Sequence, residues 1–151
     1  MPMLSLGVDV SKGYADGCFL NEAGSVLLGT GRFDDTPDSH AAVLEHLNTL
    51  AARYPAAPWQ IGLESTGGLE RNWLRLFHPW AKGAVYRLNP LAVKQYLARE
   101  LHRNGSDPHS ARGIAQYLQR GRRPADRPLT ELPAVIADRE LAAASRVIFD
   151  V

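Results

Sequence analysis

Gly7-Val8-Asp9-Val10-Ser11-Lys12 reads as the end of a β-strand that terminates in a carboxylate and turns back. Leu4, Leu6, Val8 and Val10 alternate with Ser5, Gly7 and Asp9. A period of two puts the apolar set on one face and aims Asp9 away from it. Gly7, two residues before Asp9 on the same face, has no side chain and leaves room for a backbone, an ion or a phosphate to approach closely. A strand that ends in Asp at a turn is common. A second copy of the pattern gives it weight: in Trp59-Gln60-Ile61-Gly62-Leu63-Glu64-Ser65-Thr66-Gly67-Gly68, Trp59, Ile61 and Leu63 share one face, and Gly62 again precedes a carboxylate by two residues. If both strands belong to one parallel sheet, their carboxyl ends lie on the edge where open α/β sheets place ligands.

The chain has 151 residues, enough for one domain with a real core, and 45% hydrophobic against 22% charged residues excludes a disordered chain. A net charge of +1 says little about partners, but Arg99, His102, Arg103, Arg112, Arg120, Arg122, Arg123 and Arg127 crowd the later half, as a phosphate-neutralising patch or an Arg-rich solvated face does. Cys18, the single cysteine, excludes a disulfide framework and a zinc cluster and reads as a small buried strand residue. No stretch approaches the roughly 20 apolar residues of a membrane span, so a cytoplasmic protein with no membrane partner is expected. The five histidines lack metal-ligand spacing. Trp59, Trp73 and Trp80 read as core, and Tyr96 and Tyr117 as packing residues.

The remaining elements follow from local signals. A strand from Gly13 to Leu20, a turn at Asn21-Glu22-Ala23-Gly24 and a strand from about Ser25 to Phe33 form an antiparallel meander. Thr36-Pro37-Asp38 starts a helix with Thr36 as cap, carrying Leu44, Leu47, Leu50, Ala51 and Tyr54 at helical spacing and ending at Pro55. After the Trp59–Glu64 strand, Ser65-Thr66-Gly67-Gly68 opens a helix whose stripe is Leu69, Trp73, Leu74, Leu76 and Phe77. A short strand from Gly83 to Leu88 leads to a helix capped by Asn89, with Val93, Leu97 and Leu101 inward, broken at Arg103-Asn104-Gly105-Ser106. Asp107-Pro108 begins a further helix with Ala111, Ile114, Ala115 and Leu118 inward, closed by Gly121. The expected domain is therefore 1–121. The proline-rich stretch 122–133 reads as an exposed linker, and 134–151 as the start of a helical segment leading to a missing or separate C-terminal region.

This order resembles the ribonuclease H-like α/β fold: a mixed five-stranded sheet, antiparallel meander then parallel strands, flanked by helices. The resemblance implies that the first and fourth strands are neighbours, which brings Asp9 and Glu64 together. Carboxylates side by side repel unless a cation sits between them, and hard oxygen ligands suit Mg²⁺ or Mn²⁺. Asp107, at a helix start after a loop, is the candidate third ligand, and it equally suits a helix cap. Ser110, three residues on, shares its helical face.

Gly7-Val8-Asp9-Val10-Ser11-Lys12, Glu64-Ser65-Thr66-Gly67, Asn89-Pro90 with Val93-Lys94-Gln95-Tyr96, and Ser106-Asp107 followed by Ser110-Ala111 and Ile114-Ala115-Gln116-Tyr117-Leu118 together resemble the N-terminal DEDD domain of insertion sequence 110 family transposases, over about Leu4 to Arg120. The resemblance implies a Holliday-junction-resolvase-like catalytic unit in which four acidic residues bind divalent metal for DNA strand cleavage and transfer. Asp9, Glu64 and Asp107 fall on the first three positions. Ser110 stands where the family has its fourth acid, and a neutral hydroxyl is a weaker Mg²⁺ ligand. The resemblance further implies a C-terminal domain supplying a serine nucleophile, DNA partners in transposon ends and target, a structured guide RNA, and a homo-oligomer in the full-length protein. Lys12, Lys94, Arg99, Arg103, Arg120, Arg122 and Arg123 are the candidate nucleic-acid contacts. Two other readings stay open: a non-catalytic nucleic-acid-binding or assembly module of the same fold, and a fragment of a sugar-kinase or actin-like ATPase, which also begins with a strand ending Gly-x-Asp.

Overall fold

The computed structural model describes residues 3–80, 83–104 and 110–130. Strands β1 (Leu4–Ser11), β2 (Tyr14–Leu20) and β3 (Val26–Asp34) form the meander. Helix α1 (Pro37–Arg53), β4 (Trp59–Glu64), α2 (Arg71–Phe77), β5 (Gly83–Leu88), α3 (Pro90–Asn104) and α4 (Ala111–Gln116) follow, and α4 continues into one π-helical turn, Tyr117–Gly121. The strands lie in the order β3-β2-β1-β4-β5. β1 pairs antiparallel with β2 and parallel with β4, and β5 adds parallel to β4, so the expected mixed five-stranded arrangement is present.

Each sheet face has its own helices because each strand alternates. Leu4, Leu6, Val8 and Val10 of β1 and Trp59, Ile61 and Leu63 of β4 pack with Val43, Leu47 and Leu50 of α1 and Trp73, Leu74 and Phe77 of α2. On the opposite face Tyr86 and Leu88 of β5 pack with Val93 and Leu97 of α3 and with Ile114, Tyr117 and Leu118, while Cys18 and Leu20 of β2 meet Ala111 and Ala115 of α4. Trp59 and Trp73 are core as expected, and the Tyr96 and Tyr117 rings pack edge to face at 5.6 Å.

Local chemistry fixes most element ends. Thr36 caps α1 by accepting from the Ser39 amide at 3.3 Å, with Pro37 in the first turn. The buried stripe of α1 is Val43, Leu47, Leu50 and Ala51. Tyr54, expected inward, sits past the last turn and is exposed. Asn89 caps α3 through the Leu91 amide at 2.9 Å, and α3 runs through Asn104 rather than breaking at Arg103. The side chains of Leu101 and Arg103 lie outside the described part, as do residues 105–109, including Ser106 and Asp107.

Helix α4 begins later than its sequence suggests. Ser110 has an extended backbone and caps the helix by accepting from the Gly113 amide at 3.1 Å, so it stands before the helix rather than on its face. Beyond the π turn, residues 122–128 are largely exposed, as a linker would be, but two anchors hold this stretch to the domain. Asp126 bonds to the Tyr117 hydroxyl, and the Leu129 amide donates to the Val85 carbonyl at 2.8 Å while its side chain packs on the core.

Candidate functional site

Three rungs join β1 and β4 on the face covered by α4, and their chemistry changes from one end to the other. In the first, Gln60 donates to the Ser5 hydroxyl at 2.8 Å, a buried pair inside the sheet. In the second, Gly7 stands opposite Gly62. A Cβ on Gly7 would lie 2.1 Å from the Ala111 carbonyl oxygen and 2.4 Å from the Ala115 nitrogen, and one on Gly62 would lie 2.6 Å from a Leu118 methyl. The space before Asp9 is thus filled by helix backbone, and the space before Glu64 by the Leu118 side chain. The third rung follows the Val8–Leu63 pair by one residue and consists of Asp9 and Glu64.

Asp9 and Glu64 are therefore neighbours on adjacent parallel strands, on the α4 face and at the carboxyl edge of the sheet. Strands lie ~4.8 Å apart, which sets the spacing of the two side-chain origins. Glu64 is 7% exposed, and Asp9 is half-buried. Helix α4 runs away from this edge. Gln119 donates to the Asn21 carbonyl at 2.6 Å and Arg120 to the Ala23 carbonyl at 3.4 Å, both in the β2–β3 turn at the other end of the sheet. Ser110 consequently marks the end of α4 directed toward the two acids. Asp107, the third predicted ligand, lies outside the described residues, and among the described residues no three His, Cys, Asp or Glu side chains converge as a metal cluster.

The loop after Glu64 departs from the sequence reading. Instead of opening a helix, Ser65–Glu70 forms a turn in which Gly67 and Gly68 have φ of +71° and +111°, and α2 starts only at Arg71. The cause is Glu70. It is 0% exposed, and its carboxylate accepts from the Thr66 amide at 3.3 Å, the Gly68 amide at 2.8 Å and Arg87 Nη2 at 3.0 Å. Leu69, expected in the buried stripe, is left 42% exposed. These amides hold an internal carboxylate and are not open to an external anion.

The candidate basic residues divide. Lys12 in the β1–β2 turn and Lys94 and Arg99 on α3 are exposed. Arg99 and Arg120 line a cleft with Tyr96, Glu100 and Gly121. Arg122 lies 4.5 Å above the Tyr86 ring, and Arg123 pairs with Asp126 at 3.4 Å, so both have structural roles that the sequence did not announce. Sequence reasoning also missed Asp16. It pairs across the hairpin with Asp9 and neighbours Arg32, whose guanidinium lies 3.8 Å over the Tyr14 ring. The signal was available in the alternation Tyr14-Ala15-Asp16, which puts Tyr14 and Asp16 on the Asp9 face once the hairpin register is known.

Cys18, Tyr117 and Asp126 depart from their ordinary titration ranges. Burial pushes the Cys18 thiol up, with Arg112 pulling the other way, so Cys18 is a packing residue rather than a nucleophile. Burial, reinforced by the adjacent Asp126 carboxylate, raises the Tyr117 hydroxyl to about 12. Asp126 is itself held below the usual carboxylate range. Burial opposes this, and the Tyr117 hydroxyl, the Arg123 amide and the Arg123 guanidinium together outweigh it.

A family model described as a transposase, of the DEDD type of insertion sequence 110, matches residues 6–148. The chain belongs to this DEDD transposase family. The match continues through 122–133 and most of the segment after it. None of the curated proteins matches the chain. Among solved structures, Thermus thermophilus RuvC in complex with a Holliday junction substrate is similar at 16% identity and a TM-score of 0.54, over 84% of this chain and 99% of that one. A second Thermus thermophilus RuvC structure is similar at 17% identity and the same TM-score, over 84% of this chain and 100% of that one. The DEDD family member thus has the ribonuclease H-like fold of RuvC. Among its described residues no helix is long and apolar enough to cross a membrane.

Proposed function

We propose that this chain is the catalytic-type domain of a transposase that cleaves and transfers DNA strands with a divalent metal, Mg²⁺ or Mn²⁺. The observation that carries the proposal is the third rung: the β1–β4 register leaves Asp9 and Glu64 side by side on the open edge. Two carboxylates brought to ~5 Å would repel by about 3 kcal/mol at an effective dielectric near 20, and a cation between them reverses that sign. The donor set fits a hard divalent ion, because both are carboxylates and one is buried. Asp107 is the proposed third ligand and Ser110 the neutral occupant of the fourth position. When bound, the metal would stabilise charge on the attacking and leaving oxygens of a phosphoryl displacement. The protein's own part is to hold the carboxylates fixed on a rigid sheet edge and to steer the phosphate backbone with exposed cations, Lys12, Lys94 and Arg99 among them. DNA with a branched or junction-like geometry is the proposed substrate class, supported by the likeness to a RuvC solved with such a substrate. A structured guide RNA, a homo-oligomer and a C-terminal serine-bearing domain complete the proposal for the full-length protein.

The test is a nicking assay on a labelled four-way DNA junction in Mn²⁺. Metal-dependent cleavage by the wild type that is lost in Asp9→Asn and Glu64→Gln supports the proposal. Cleavage surviving both substitutions refutes it. Ser110 favours a second reading, a non-catalytic DNA- or RNA-binding module, because the hydroxyl that replaces an acid is already engaged in capping α4. Salt-dependent DNA association that ignores metal and survives Asp9→Asn, with no cleavage, selects that reading.

A further inference from the structure

We propose that Glu70 is a positioning residue for Glu64, acting through the loop that joins them; the inference rests on the metal-site reading of Asp9 and Glu64. A fully buried carboxylate is costly unless it is paired and hydrogen-bonded. Glu70 is both. Its two oxygens accept from the Thr66 amide at 3.3 and 3.4 Å, one accepts from the Gly68 amide at 2.8 Å, and the other meets Arg87 Nη2 at 3.0 Å.

The Thr66 and Gly68 amides turn inward onto the carboxylate in a loop where Gly67 and Gly68 adopt φ values of +71° and +111°, which residues with a Cβ rarely take. The loop is also held from outside. Arg71 Nε donates to the Gly68 carbonyl at 2.8 Å, and the Ser65 amide donates to the Leu88 carbonyl at 2.9 Å, extending the β4–β5 pairing one residue past Glu64. Glu64 therefore leaves β4 into a segment pinned at Ser65, Thr66 and Gly68.

Arg87 adds the tertiary link. It comes from β5, where it stands opposite Leu63 in the β4 register. The Glu70–Arg87 pair thus ties the loop to the strand next to the one that carries Glu64. A short turn needs only a neutral acceptor such as Asn or Ser. A buried charge with its own arginine fixes one geometry, and a site that gathers two carboxylates around one ion requires that.

The experiment measures Mn²⁺ binding to the full chain by calorimetry, alongside thermal unfolding, for the wild type, Glu70→Gln, Arg87→Lys, Asp9→Asn and Leu47→Ala. Leu47 is a buried residue of the α1 core and serves as a stability control. The proposal expects Glu70→Gln to weaken Mn²⁺ binding tenfold or more, the range typical of groups that orient metal ligands. Arg87→Lys should weaken it by a smaller factor, and Leu47→Ala should lower the unfolding temperature without changing the affinity. Wild-type affinity in Glu70→Gln, with binding lost in Asp9→Asn, overturns this inference and leaves the metal reading intact. If Glu70→Gln does not fold, Arg87→Lys decides, and unchanged affinity there overturns the inference. Binding that is absent in the wild type or unaffected by Asp9→Asn overturns the metal reading and the inference with it.

Discussion

Replacing Gly7 by Ala should separate α4 from the sheet. The added Cβ would lie 2.1 Å from the Ala111 oxygen, 2.4 Å from the Ala115 nitrogen and 3.0 Å from the Ala115 Cα, where ordinary contact starts at 3.4 Å. Every obstacle is backbone, so no side-chain rotation relieves the clash, and the helix must lift by about 1.3 Å, the shortfall at the Ala111 oxygen. A gap of 0.5–1 Å already forfeits a quarter to a half of each dispersion contact beneath it. Overpacking alone costs about 1–3 kcal/mol. With the packing of Ala111, Ala115 and Leu118 also loosened, the expected loss is about 3–4 kcal/mol. At about 2–4 °C per kcal/mol for a chain of this size, that lowers Tm by about 10 °C. Urea unfolding with a shared m value and calorimetric melting both measure it. Gly13→Ala is the control. Gly13 has φ +84° but nothing within 4 Å, so only the backbone term of about 1–2 kcal/mol remains. A Gly7→Ala protein within about 0.5 kcal/mol of wild type would refute the claim that this glycine exists to admit the helix backbone.

Gly62→Ala should cost less than Gly7→Ala, about 1–2 kcal/mol, because the obstacle is the end of the Leu118 side chain, 2.6 Å from the added carbon, which can move. Ser110→Asp should tighten Mn²⁺ binding in calorimetry while Tm stays nearly constant, since Asp caps a helix as well as Ser and adds a carboxylate at the end of α4 facing Asp9 and Glu64; no gain would separate Ser110 from the site. Tyr117→Phe removes the bond to Asp126 and should cost about 1–2 kcal/mol at neutral pH. Its pH profile carries a sign. The folded tyrosine titrates at about 12, above its ordinary value of 10, so its contribution is complete below pH 10 and is lost as pH rises from 10 toward 12. Unfolding monitored across that window should show the alkaline loss in wild type and a flatter limb in Tyr117→Phe.

The faces of the two acids were legible because strand periodicity is written locally, while their adjacency came from the family resemblance. Alternation placed Asp9 and Glu64 opposite the apolar residues, and the resemblance to the ribonuclease H-like fold implied β1 beside β4, the order the sheet has. The caps at Thr36 and Asn89 are also written locally, since in each one side chain meets an amide two or three residues away. What escaped is set by contacts between distant residues. Glu70 after two glycines reads as the first turn of a helix, and only Arg87, 17 residues on, reveals it as the centre of a turn. Asp126 and Leu129 sit in a stretch whose prolines and charges signal exposure, yet Tyr117 and the Val85 carbonyl anchor them. Ser110 was assigned to a helix face because Asp107-Pro108 is a strong start signal, whereas the extended backbone at Ser110 delays the helix. The paired glycines were read correctly as close approaches, but which group approaches is a tertiary fact.

The central claim is that Asp9 and Glu64 jointly hold a divalent cation. Anomalous diffraction at the manganese edge, from crystals of this chain soaked in Mn²⁺, tests it most directly. A cation shared by the pair gives a peak within coordinating distance of both carboxylates that disappears in Asp9→Asn crystals. A peak bound elsewhere, with none between these two side chains, would contradict it.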